Sequence, residues 1–259
     1  MMKIQQYMRV AAILGSVLAI TAQAEIAGVQ FSAEMVSRGP DASPSTGKMY
    51  VGDGRIRIEM TQEGREIVRI NDQNRRIEWI LFPDQKNYLE RSAPEGDVAP
   101  APLPTPSAET NPCEGLQGVN CRRAGEEEVA GRAAVKWEMT VTHEGKTLTG
   151  AQWIDVQRGL PLKYLMPNGQ SMELHMLGTE TIDGRGVEKW EMTTVIPNQQ
   201  PIRTFQWYDP ELKLSVREEF PGGHVRELDK IQIGAQPDDL FNVPAGYTRL
   251  EMPPVEPGQ

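Results

Sequence analysis

The stretch from Gly131 to Thr140 returns almost unchanged from Gly184 to Thr193, with Arg, Lys-Trp-Glu-Met-Thr and the leading glycine at matching places. The agreement runs on: Trp153-Ile154-Asp155 is answered by Trp207-Tyr208-Asp209. Pro167-Asn168-Gly169 before Glu173-Leu174 is likewise answered by Pro221-Gly222-Gly223 before Glu227-Leu228. Self-similarity at about fifty residues marks one supersecondary unit used twice, each copy relying on a neighbour to cover its apolar face.

The copies span 126–177 and 180–233, and each reads as a four-stranded antiparallel meander. A first strand carries Trp137 and Met139, or Trp190 and Met192, on one face, and a second carries Trp153 or Trp207. A third strand (160–166; 212–218) passes through a Pro-x-Gly turn into a fourth (171–177; 225–233). The region 25–92 reads as a further meander. Ile56, Ile58 and Met60 alternate with charges, turn residues fall at Gly52-Asp53-Gly54 and Gln62-Glu63-Gly64, and a strand places Ile77, Trp79 and Leu81 on one face. Between 93 and 112, six prolines among small and acidic residues predict a solvated, semi-extended connector. Asp238 and Asp239 suit the first turn of a short helical segment within Pro237 to Phe241, and the residues from 253 to 259 read as a tail. No long helical periodicity occurs. The expected fold is therefore mainly β: one domain over 25–252, a large curved antiparallel sheet with little helix.

The start of the chain reads as a secretory signal over 1–24, with Lys3 and Arg9, an apolar run from Val10 to Ile20, and an Ala22-Gln23-Ala24 cleavage site. Its apolar run is too short to span a bilayer, and no later stretch is long enough either. A periplasmic or secreted location follows. Removing Lys3 and Arg9 takes the formal charge from -9 down by two, to -11, which disfavours nucleic acid and anionic membrane surfaces. In an exported chain, Cys113 and Cys121 are expected to form a disulfide. The alternative, a redox or metal pair, has the wrong spacing for either motif.

Catalytic chemistry finds no foothold. The three histidines, His143, His175 and His224, share no metal-ligand spacing. Met172, His175 and Met176 would suit copper, but strand geometry sends both methionines to the face opposite the histidine. There is no nucleophile elbow and no phosphate loop, and the paired acids lie in turns or on outer faces. No cofactor is expected.

The runs Gly47 to Val51, Trp79 to Tyr88, Gly131 to Glu138 and Phe241 to Tyr247 resemble an uncharacterised bacterial envelope family. That family is itself similar to the LolA/LolB-like superfamily of periplasmic lipoprotein carriers. The resemblance implies a half-barrel, an incompletely closed antiparallel sheet whose concave face holds acyl chains or a lipid-modified partner.

Trp137, Met139, Trp153, Met172, Met176, Trp190, Met192 and Trp207 form the candidate ligand-binding set. Either they fill a sealed core or they line an adaptable groove of the kind methionine favours. The function expected is a non-catalytic binding protein for an apolar small molecule, a lipid or a lipid-modified protein. The alternative is an envelope scaffold that pairs through exposed strand edges.

Overall fold

A computed structural model of the chain describes residues 29–40, 42–92, 107–114, 118–143 and 145–251. The signal segment, the connector from 93 to 106 and the tail lie outside them. Among the described residues the strands are, in chain order, β1 (Phe31–Gly39), β2 (Ala42–Gly52), β3 (Arg55–Gln62), β4 (Arg65–Asp72), β5 (Ile77–Phe82), β6 (Asn87–Ser92), β7 (Val119–Val129) and β8 (Arg132–His143). They continue as β9 (Lys146–Asp155), β10 (Pro161–Leu165), β11 (Ser171–Ile182), β12 (Arg185–Val195), β13 (Ile202–Asp209), β14 (Leu214–Phe220), β15 (His224–Ile233) and β16 (Thr248–Arg249). Within 29–92 and 224–251 the hydrogen-bond order is β16-β6-β5-β4-β3-β2-β1-β15, antiparallel but for the short parallel step of β16 onto β6; within 107–223 it is β14-β13-β12-β11-β10-β9-β8-β7, antiparallel throughout. Among the described residues helix is confined to 3-10 turns at Pro83–Gln85 and Asp238–Phe241. The expected mainly β, open antiparallel architecture is the one observed. No helix among the described residues is long and apolar enough to cross a membrane.

The described residues divide into two compact units. The first covers the described residues from 107 to 223 and holds both recognised copies as far as β14; the second covers 29–92 and 224–251.

In the first unit the copies superpose device by device. Turns at Ala130-Gly131 and Asp183-Gly184 have φ of 54° and 73°, and of 48° and 78°, the left-handed pair that a two-residue hairpin needs. The arginine after each turn, Arg132 or Arg185, donates from Nε to the carboxylate that ends the next-but-one strand segment, Asp155 or Asp209. That carboxylate also accepts two backbone N–H groups from the following loop, those of Gln157 and Arg158, or of Glu211 and Leu212. One difference from the sequence reading concerns boundaries: β11 runs unbroken through the supposed junction between copies at 177–180. A bulge at Met176/Gly178 carries it across, matched by a bulge at Arg123/Gly125 in β7. Each copy therefore starts one strand earlier than its sequence signature.

The second unit contains a relative of the same device. Asp72 ends β4 opposite Arg55, which follows the Asp53-Gly54 turn, and its carboxylate accepts the backbone N–H of Arg75. Glu59-Met60-Thr61 in β3 repeats the phrase of Glu138-Met139-Thr140 and Glu191-Met192-Thr193. Among the described residues the only buried charged side chains are Asp72, Asp155 and Asp209, at 2%, 1% and 1% exposure. Buried carboxylates persist only when hydrogen bonded, and each strand-end loop is built around one. Val68, Ile70, Trp79 and Leu81 on one face of this unit are covered by the C-terminal Leu240, Phe241, Val243 and Tyr247. Phe241 lies so close to Gly52 that a β-carbon there would fall 2.6 Å from its ring.

Candidate functional site

Directly paired residues on neighbouring strands share a sheet face, so the register of the first unit decides which candidate residues belong together. Trp137 pairs with Gln152, Gln152 with Tyr164, Tyr164 with Met172, and Met172 with Thr194. Leu174 pairs with Met192, and Met176 with Trp190. Trp137, Met139, Met172, Met176, Trp190 and Met192 therefore lie on one face. Lys136 pairs with Trp153 and Lys189 with Trp207, which puts these two tryptophans on the other.

The two faces differ in chemistry. Around Trp153 and Trp207 the surface is charged and internally paired. Trp153 donates its indole N–H to Glu127 and lies beneath Lys136 and Lys163; Trp207 donates to Glu180 and lies beneath Lys189 and Arg217. Trp153 and the paired lysine hold the Glu127 carboxyl below the usual carboxylate range, and Trp207 and Lys189 do the same to Glu180. Further ion pairs, Lys163 with Glu173 and Arg203 with Glu191, complete that face. Both indoles are covered by these ion pairs, and Trp153 also packs in an apolar cluster with Val129, Ala134, Ala151, Leu162 and Trp190.

The face of Trp137 is richer in apolar side chains, interrupted by Arg123, Gln152, Thr194 and Glu188. Trp137 itself is closed off: its N–H donates to the carbonyl of Ala108, and Ala108, Cys113, Cys121, Val135 and Ile154 pack around it. The disulfide between Cys113 and Cys121 ties this cover down. Residues 107–112, expected to be solvated spacer, are here part of the fold, with Ala108 2% exposed. Trp190 and Met172 are also buried. Between and beyond these, Met139, Val141, Tyr164, Leu174 and Met192 are half-buried, while Leu148, Met176 and Ile202 are exposed at 39%, 37% and 38%. Burial raises the pKa of the Tyr164 hydroxyl against a hydrogen bond from Gln170. The result is a deeply packed base of Trp and Met with a partly uncovered row of flexible apolar side chains on it. His175 lies on the charged face beside Glu173, and among the described residues no three His, Cys, Asp or Glu side chains gather as a metal site.

The sequence places Val141 on one face with Trp137 and Met139, though outside the candidate set; sequence reasoning missed Leu148, Tyr164, Leu174 and Ile202 on this face. Only Leu174 has a sequence signal, lying midway between Met172 and Met176 at strand parity.

No protein-family description and no curated protein matches this chain. Among solved structures it is similar to a LolA superfamily protein from Nitrosomonas europaea, at 12% identity, covering 88% of this chain and 96% of that one, TM-score 0.36. It is also similar to an outer membrane lipoprotein-sorting protein domain from Vibrio parahaemolyticus, described as putative, at 12% identity, 87% and 95% coverage, TM-score 0.34. A third is a DUF1329 family protein from Desulfovibrio piger, at 14% identity, 88% and 95% coverage, TM-score 0.31.

Proposed function

We propose that this is a non-catalytic binding protein that holds an acyl chain, of a lipid or of a lipid-modified partner, against the apolar face of the first unit. The observation that carries the reading is the contrast between its two sheet faces. One carries the ion pairs, with Leu165 and Val195 the exposed apolar side chains on it; the other leaves Met139, Leu174, Met176, Met192, Leu148 and Ile202 partly uncovered on a shared face. Unbranched methionine adapts to chains of varied shape. Each methylene transferred from water to such a surface contributes about 0.8 kcal/mol, so a chain of ordinary length binds by burial alone. An exported location, read from the N-terminal signal, would bring the face into contact with envelope lipids.

Titration of the purified mature protein with a fluorescent fatty acid tests this. Saturable binding that is displaced by unlabelled fatty acid is the expected result. Absence of saturable binding to any fatty acid would end the reading and favour the alternative, an envelope scaffold.

A further inference from the structure

The second unit has a cleft of about 370 Å³, lined by its own residues alone. Its apolar floor is made by Ile67, Phe82, Leu89 and Leu250. Register places the first three on the face of β4, β5 and β6 opposite the Val68, Trp79 and Leu81 core. Each is only half-buried, so the C-terminal segment that seals the core face does not seal this one. Leu250 is fixed at the edge by its backbone N–H, which donates to the carbonyl of Tyr88.

The rim is charged and uncompensated. Glu63, Glu66, Asp84 and Arg65 line it, all exposed, and among the described residues none of the four takes part in an ion pair. Three carboxylates against one guanidinium leave the mouth net negative, which attracts a cationic group and repels an anionic one. The volume lies near the lower end of the ~300–1,000 Å³ span of small-molecule sites, room for one chain rather than two. We propose that this cleft binds a single-chain amphiphile with a cationic head, the chain lying on Ile67, Phe82, Leu89 and Leu250 and the head at the carboxylates.

The test uses the full mature protein carrying Met176→Asp, so that the acyl-binding face of the first unit does not report. Dodecyltrimethylammonium and laurate, both below their micellar concentrations, are titrated while the backbone amide signals of Ile67, Phe82 and Leu89 are followed. Binding of the cationic probe about tenfold tighter than that of laurate is expected, with the preference shrinking in high salt. The exposed double change E63K/E66K should reverse the preference with the fold intact, and Leu250→Asp should weaken both probes. Equal binding of the two heads, a preference that survives E63K/E66K, shifts that do not saturate, or a cleft closed by self-association would each overturn the assignment. These outcomes leave the fatty-acid result for the unmodified first unit untouched, so the two proposals fail separately.

Discussion

Arg158 grips Glu188 with both arms of its guanidinium, Nη1 to Oε2 and Nη2 to Oε1, each at 2.5 Å. Arg158 belongs to the loop between β9 and β10 in the first copy of the repeat and Glu188 to β12 of the second, so the pair is a clamp between copies. It is well sheltered, with side chains 22% and 14% exposed. Glu188 also accepts the indole N–H of Trp190, and Arg158 stacks over Tyr208. The Arg158 hydrogen bonds, opposed by burial and assisted by Trp190, hold the Glu188 carboxyl below its usual range. Replacing Arg158 by Met should destabilise the protein by about 1–3 kcal/mol, between the values for exposed and fully buried pairs. A double-mutant cycle with Glu188→Gln, read by chemical unfolding, should give a coupling of about 1 kcal/mol or more; additive single effects would contradict the clamp.

Asp72, Asp155 and Asp209 should behave as three versions of one fixture. Each Asp→Asn change keeps the shape but weakens the hydrogen bonds that a charged oxygen accepts in the strand-end loop. Losses of about 1–3 kcal/mol at all three sites are expected in thermal or chemical unfolding. A neutral effect at Asp72 alone would show that the second unit's device is only a likeness.

Acid should weaken the first unit through the same groups. Burial opposes the charge on Asp155, yet Arg132 and the backbone N–H groups of Arg158 and Gln157 outweigh it, and the folded carboxyl titrates lower than usual. Glu188 is depressed as well. A depressed carboxyl contributes stability that is whole above its ordinary pKa, about 4, and is lost as pH falls through the folded value. Unfolding free energy should therefore drop below about pH 4. The slope should be shallower in Asp155→Asn and Glu188→Gln; parallel pH profiles in variant and parent would contradict this.

Much of this was legible in the sequence, and the failures have physical reasons. The Glu-Met-Thr phrase at Glu59 escaped notice as a third occurrence because it lies two residues nearer its arginine than the other two do. Residues Ser43 to Gly47 carry Ser, Pro, Thr and Gly, a run with no strand signal of its own; they form β2 because β1 offers partners, Ser37 to Ser45 and Val36 to Thr46. Parity within a strand sorted Met172 and Met176 from His175 correctly. It could not sort Trp137 from Trp153, since the face of one strand relative to its neighbour is set by register, and register appears only when the ladder forms. The cover over Trp137 was invisible because Ala108 is small and sits among prolines.

Reduction of the Cys113–Cys121 bond should cost about 2–3 kcal/mol, as expected for closing a loop of this length. Because the bonded segment packs on Trp137, the tryptophan emission of the reduced protein should shift to the red while the rest of the sheet keeps its circular dichroism. Unchanged emission would mean that the cover holds without the bond.

Met176 and His175 are chain neighbours on opposite faces of β11, both exposed, so either accepts an aspartate without stranding it in a core. Fluorescent fatty-acid affinity measured for Met176→Asp and for His175→Asp tests the account most directly. It predicts a loss of at least about tenfold for Met176→Asp, where the carboxylate faces the chain, and little change for His175→Asp. Equal affinities in the two variants, or a loss confined to His175→Asp, would contradict it.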